Sequence, residues 1–138
     1  MADKIRLRVV TPTSLVVDEE VDEVTAPGEL GEFGVLPNHI AFLSTLVPGV
    51  LTYKQGSKNQ IFAISGGYAE VLDNVMTVLA TAAEFPAEID TVRAKFAKDE
   101  AEKTMAALNP EEKDWQIAEG ALKKALVRLQ VAAKEARR

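Results

Sequence analysis

The chain has 138 residues, 47% of them hydrophobic and 27% charged, with a net charge of −5 and no cysteine. This composition excludes disulfide and thiolate chemistry, and it is too apolar for a disordered chain. No apolar run is long enough for a membrane-spanning helix, and a start without a signal-peptide pattern makes the cytoplasm the expected compartment.

Ile5, Leu7 and Val9 alternate with Arg6 and Arg8, the period-two pattern of a half-buried strand, which Thr11-Pro12-Thr13 ends. Val21 and Val24, with acids between them, predict a strand with one wet face. Pro27 to Gly34 carries too many glycines for a helix and reads as turns or a bulge. Pro37-Asn38-His39 reads as another turn. Further strands are expected at Ile40–Leu46, Val50–Tyr53, Gln60–Ser65, Tyr68–Leu72 and Val75–Thr81, with Asp73-Asn74 as a tight hairpin between the last two. Gly66-Gly67 reads as a backbone constraint between strands. Many short strands at this spacing predict a sandwich or barrel.

The texture changes at Glu84-Phe85-Pro86. Beyond it lie about fifty residues rich in Ala, Lys, Glu and Leu, whose only glycine is Gly120. Asn109-Pro110-Glu111-Glu112 predicts that one helix ends near Ala107-Leu108 and a second begins at Pro110 with Asn109 as its cap. The expected seam of the second helix is Trp115, Ala118, Leu122, Ala125, Leu129, Ala132 and Ala136. The first answers with Ile89, Val92, Phe96, Ala97, Ala101, Met105 and Leu108. A short connection makes the pair antiparallel, and so many alanines make it weakly anchored. The predicted class is therefore α+β with two domains: an antiparallel β-sandwich over residues 1–85 and an antiparallel two-helix hairpin over 86–138.

Charge is unevenly placed. Residues 1–84 hold 5 basic and 11 acidic side chains, whereas residues 120–138 hold six basic residues against Glu135 alone. A basic final helix fits an acidic partner surface, and it equally fits a solvated face whose cations complement the helix C-terminus. No catalytic cluster stands out. His39 is the sole imidazole, without the spacing of a zinc ligand set, and no phosphate loop or dinucleotide fingerprint is present. An acidic β half without a basic stripe argues against nucleic acid. The chain reads as a non-catalytic part of a larger machine, with a generic sandwich adaptor as the bland alternative.

Three motifs in order sharpen this. Gly31-Glu32-Phe33-Gly34-Val35-Leu36-Pro37-Asn38-His39, Ser65-Gly66-Gly67-Tyr68-Ala69-Glu70-Val71 and Ile89-Asp90-x-x-Arg93-Ala94 together resemble the epsilon-subunit family of bacterial F-type ATP synthases. Asn38 stands where that family usually has Gly, a change that Asn tolerates at positive φ.

The resemblance implies a ten-stranded sandwich that docks on the γ subunit and the c-ring in the central stalk. It also implies a helical domain that folds down or extends into the α/β hexamer, where it inhibits ATP hydrolysis. The expected location is peripheral, on the cytoplasmic face of the inner membrane. Expected partner contacts are Glu32, His39, Lys123, Lys124, Arg128 and Lys134. No cofactor is required, but regulatory ATP is implied at Glu84, Ile89, Asp90, Arg93, Ala94 and Arg128. Glu100 and Lys124 replace arginines of the stronger nucleotide binders, which implies weakened affinity. Asp90 and Arg93 read equally well as a cap and brace for the first helical turn. A stand-alone ATP-sensing module is the second functional reading.

Overall fold

A computed structural model describes residues 3–136, the side chains of the last two excepted. The chain divides into two compact units, 1–83 and 84–138.

The first unit is built from β1 (Ile5–Val10), β2 (Leu15–Val21), β3 (Glu23–Gly28), β4 (Gly31–Val35), β5 (Phe42–Leu46), β6 (Gly49–Gln55), β7 (Lys58–Ile64), β8 (Gly67–Leu72) and β9 (Val75–Ala80); the two-residue β10 (Ala83–Glu84) spans the division. The strand order is β10-β7-β6-β3-β5-β8-β9-β1-β2, with β4 paired to β3. The registered pairs are antiparallel except β1 with β9, which runs parallel. Gln55 Nε2 donates to the Glu20 carbonyl (3.1 Å), joining β6 to β2 at the far end of the order and drawing the layers toward closure.

Alternation decides which face goes inside. Ile5, Leu7 and Val9 of β1 are fully buried, as are Met76 and Val78 of β9 and Phe62 and Ile64 of β7. Each such side chain contributes about 1.5–3 kcal/mol relative to exposure. The opposite face of β1 carries Arg6 and Arg8, both salt-bridged to Asp18 of β2. Just after β2, Asp22 accepts from Lys4, which precedes β1, and, at 2.7 Å, from the Gly56 N–H.

Gly28 to Gly34 departs from the expected turns or bulge. Glu29-Leu30 is the turn, and Gly31–Val35 is a strand registered residue by residue against Val24–Gly28. Antiparallel pairing tolerates glycine where the partner supplies the hydrogen bonds, so composition there understated the strand. Leu15–Val21 likewise forms a full strand, separate from β3, where Val21 and Val24 alone marked one. The Asp73-Asn74 hairpin has positive φ at both residues (50° and 62°), as a two-residue turn of that hand requires.

The second unit begins with a single 3-10 turn, Pro86–Glu88, followed by α1 (Thr91–Ala107) and α2 (Lys113–Ala136). α1 ends where expected. α2 starts three residues later than expected, because Asn109 to Glu112 closes a turn (Glu112 N–H to Asn109 O, 3.0 Å) and the first helical bond runs from Gln116 N–H to Glu112 O. Proline suits the second position of that turn as well as a first helical position, and chain reversal selects the turn. The seam buries Ala101, Ala118 and Ala125 as expected, and also Ala94 and Val131. Val92 and Phe96 are instead 80% and 65% exposed. With Asp90 as cap, the inward face runs through Ala94, Ala101 and Leu108 at seven-residue steps, which turns positions 92 and 96 about 200° away. The Ala136 side chain lies outside the described residues.

Two outcomes are expected. A Cβ on Gly67 would sit 1.9 Å from the Leu79 carbonyl oxygen, at a φ of +144°. Gly67→Ala should therefore lower stability by roughly 3 kcal/mol or more, read by urea unfolding of the full chain. The Asp18 carboxyl is held below its ordinary value by its hydrogen bond from Arg6, and Asp22 by its bonds from Lys4 and Gly56. Depressed folded-state values stabilise above the unfolded carboxylate pKa, about 3.9, and that support is lost as pH falls through the folded values. Asp22→Asn should thus be less stable than wild type at neutral pH, with the gap closing below about pH 4; a gap independent of pH would contradict this account.

Candidate functional site

Two places carry the residues that the motifs singled out. The first is the start of the helical unit. Phe85 N–H donates to Glu88 Oε1 and Glu88 N–H to Phe85 O, both at 2.9 Å, which closes the 3-10 turn. Asp90 then caps α1: its Oδ1 accepts from Arg93 N–H at 3.0 Å, and its carbonyl accepts from Ala94 N–H at 3.0 Å. The cap turns Ile89 and Ala94 inward, where both are buried, and leaves the Asp90 and Arg93 side chains exposed.

Glu84 and Arg128, 44 residues apart, are brought together. Arg128 Nε donates to Glu84 Oε1 at 2.7 Å and Nη2 to Oε2 at 3.2 Å, a bidentate pair in which both side chains keep less than a third of their exposure. Of the six residues expected at a nucleotide site, this arrangement pairs two, withdraws two and leaves Asp90 and Arg93 at the helix N-terminus. Glu100 is exposed and salt-bridged to Lys103 (3.5 Å). On α2, Lys123 is salt-bridged to Glu119 (3.8 Å), while Lys124 and Lys134 are exposed.

The second place is the loop after β4. Asn38 adopts positive φ (67°), so the turn survives without glycine. Its N–H donates to Asn74 Oδ1 (2.7 Å) and its Nδ2 to Asp3 (3.0 Å), while Asn74 Nδ2 donates to the Lys4 carbonyl (2.8 Å). These bonds pin the loop to the β8–β9 turn and to the chain entering β1. His39 Nδ1–H donates to the Ile40 carbonyl (2.8 Å), and its ring meets Phe42 edge-on, as Phe42 meets Phe33. Glu32 is exposed on β4.

Sequence reasoning missed Asn74, whose anchoring role depends on a contact 36 residues away. It also missed an apolar row on the outer face of the sandwich. The register aligns Tyr68, Leu79, Val10 and Leu15 across β8, β9, β1 and β2, and three of them are half exposed. The available signal was adjacent apolar pairs such as Val78-Leu79, which strict alternation would have made polar on one side.

The model of the ATP synthase delta/epsilon chain beta-sandwich domain matches residues 4–86, and that of the long alpha-helix domain of the same chains matches 87–133. The chain belongs to the ATP synthase delta/epsilon family. The chain is 49% identical to ATP synthase epsilon chains of Geobacter sulfurreducens and Geotalea uraniireducens over 138 residues, the whole of both partners. It is 50% identical to that of Syntrophobacter fumaroxidans over 97% of this chain and 99% of the other. Among solved structures, a chain of the OSCP/F1/c-ring part of the Euglena gracilis mitochondrial ATP synthase superposes with a TM-score of 0.78 at 28% identity, covering 98% of this chain and 82% of that one. A chain from the central stalk and c-ring of the Tetrahymena thermophila enzyme shares the fold at 16% identity and a TM-score of 0.56, covering 98% and 96%.

Within this family's helical domain, the Asp90 cap should be separable from any binding role. Asp90→Ala should destabilise α1 by about 1 kcal/mol, whereas Asp90→Asn should be nearly neutral, as read by amide exchange in the first turn of α1.

Proposed function

We propose that the chain is the non-catalytic epsilon-type subunit of an F-type ATP synthase rotor. In this reading the sandwich binds the γ subunit and the c-ring, and the helical unit regulates ATP hydrolysis by changing position against the α/β hexamer. The carrying observation is that both domain models of the delta/epsilon family match end to end, with relatives of the same length named ATP synthase epsilon chain. The row of Tyr68, Leu79, Val10 and Leu15 supports a docking role for the sandwich, since contiguous exposed apolar surface marks an interface. Glu32 on β4 and His39 in the pinned loop after it offer a second contact.

Lys123, Lys124 and Lys134, with Arg128, give α2 a basic side suited to acidic segments of the hexamer. No helix among the described residues is long and apolar enough to cross a membrane, and in this proposal membrane contact is indirect, on the cytoplasmic face. Regulatory ATP is a secondary element of the reading. Its phosphates would draw on Arg93 and Arg128, and the Glu84 carboxylate already held by Arg128 would compete with them.

Deleting residues 88–138 should leave binding to γ intact and raise ATP hydrolysis by the reconstituted soluble complex several-fold. Hydrolysis unchanged under every condition would remove the regulatory part. Calorimetry with MgATP on the isolated chain should give millimolar or weaker binding; micromolar binding would favour the stand-alone sensor.

A further inference from the structure

The helical unit buries mostly small side chains and shows several large ones. Ala94, Ala101, Ala118 and Ala125 are buried, with Ile89 and Val131 the larger exceptions, whereas Phe96, Val92 and Ile117 stand mostly in water. An alanine seam removes little apolar area per residue, so hydrophobic burial holds α2 only loosely. The charged contacts are equally local with one exception. Lys98–Asp99, Lys98–Glu102, Lys103–Glu100 and Lys123–Glu119 each join residues within one turn of a single helix, and such pairs stabilise a helix without docking it. Among the described residues of this unit, only the Arg128–Glu84 ion pair is long-range, and it is the one with bidentate geometry. It ties the C-terminal half of α2 to Glu84, two residues before the 3-10 turn.

We infer that the Glu84–Arg128 ion pair is a built-in latch that keeps α2 docked without any bound ligand. The reasons are geometric and electrostatic. Both side chains are largely withdrawn from water, so the pair is screened less than the exposed helix pairs. Arg128 offers a planar fork to a carboxylate that fills it, so neither a nucleotide phosphate nor an acidic protein segment is needed to neutralise it. An anion that takes Arg128 first has to displace Glu84, and one that grips no other part of the unit frees α2 at the same step. The regulatory consequence rests on the proposed function; the latch itself does not.

Hydrogen exchange on the isolated full-length chain, without nucleotide, tests it. Glu84→Gln and Arg128→Gln should each speed amide exchange across residues 119–134 by about 5- to 30-fold, with residues 5–80 unchanged as the control for folding. The double swap Glu84→Arg with Arg128→Glu should return exchange toward the wild-type rate. Raising salt from about 0.05 to 0.5 M should speed exchange in wild type and not in Glu84→Gln. Exchange within twofold of wild type in both single variants overturns the latch. So does fast exchange in both singles that the swap does not restore, because packing rather than charge pairing would then be responsible. If the variants open α2 but leave hydrolysis by the reconstituted complex unchanged, the latch stands and the regulatory reading falls.

Discussion

The β half depends on one constraint: alternate aliphatic side chains of β1, β8 and β9 must leave water together. Ile5, Leu7 and Val9 meet Met76 and Val78 across a parallel pairing, and Ala69 and Val71 continue the layer. Parallel pairing of the first strand with the ninth closes a loop of some seventy residues, which only a fully buried face offsets. Once that register is fixed, the outward residues have no choice of position. Tyr68, Leu79 and Val10 fall into line because their neighbours on each strand were needed inside, and the register shift between Val9 and Val10 sets Leu15 opposite Val10. The exposed row is thus a by-product of core register that a partner can use.

The helical half obeys different physics. Its seam is mostly alanine and, among the described residues, its one long-range ion pair is Glu84–Arg128, so its docking responds to salt and competing anions in a way the aliphatic core does not. A unit with an aliphatic core and a looser one held by a charge pair suit the regulatory role proposed above. The Asp90 cap sits between these regimes. It fixes where α1 begins and therefore which residues face inward, without contributing to what holds α2.

Much of this was legible in sequence because it is local. Period-two alternation located β1, short runs between turn residues located β6, β8 and β9, the Asp73-Asn74 dipeptide gave its hairpin, and Asn109-Pro110 gave the break between the helices. Three ordered motifs gave the family. What was misread turned on pairing and helical phase: the glycine-rich Gly31–Val35 became a strand because β3 was there to pair with it, and Val92 and Phe96 turned outward because the cap set the helical phase. Of the candidate site, the Asp90 cap was readable from its motif, whereas the pairing of Glu84 with Arg128 was not.

The sequence by itself therefore determined the class of each half and the kinship with ATP synthase epsilon chains. Those properties depend on spacing over a few residues and on ordered motifs. Only the tertiary structure decided which strands neighbour which, which apolar side chains form an exposed row, and that Arg128 is held by Glu84. Each of those is a contact between segments far apart in the chain, selected by the burial of other residues, and no local pattern encodes it.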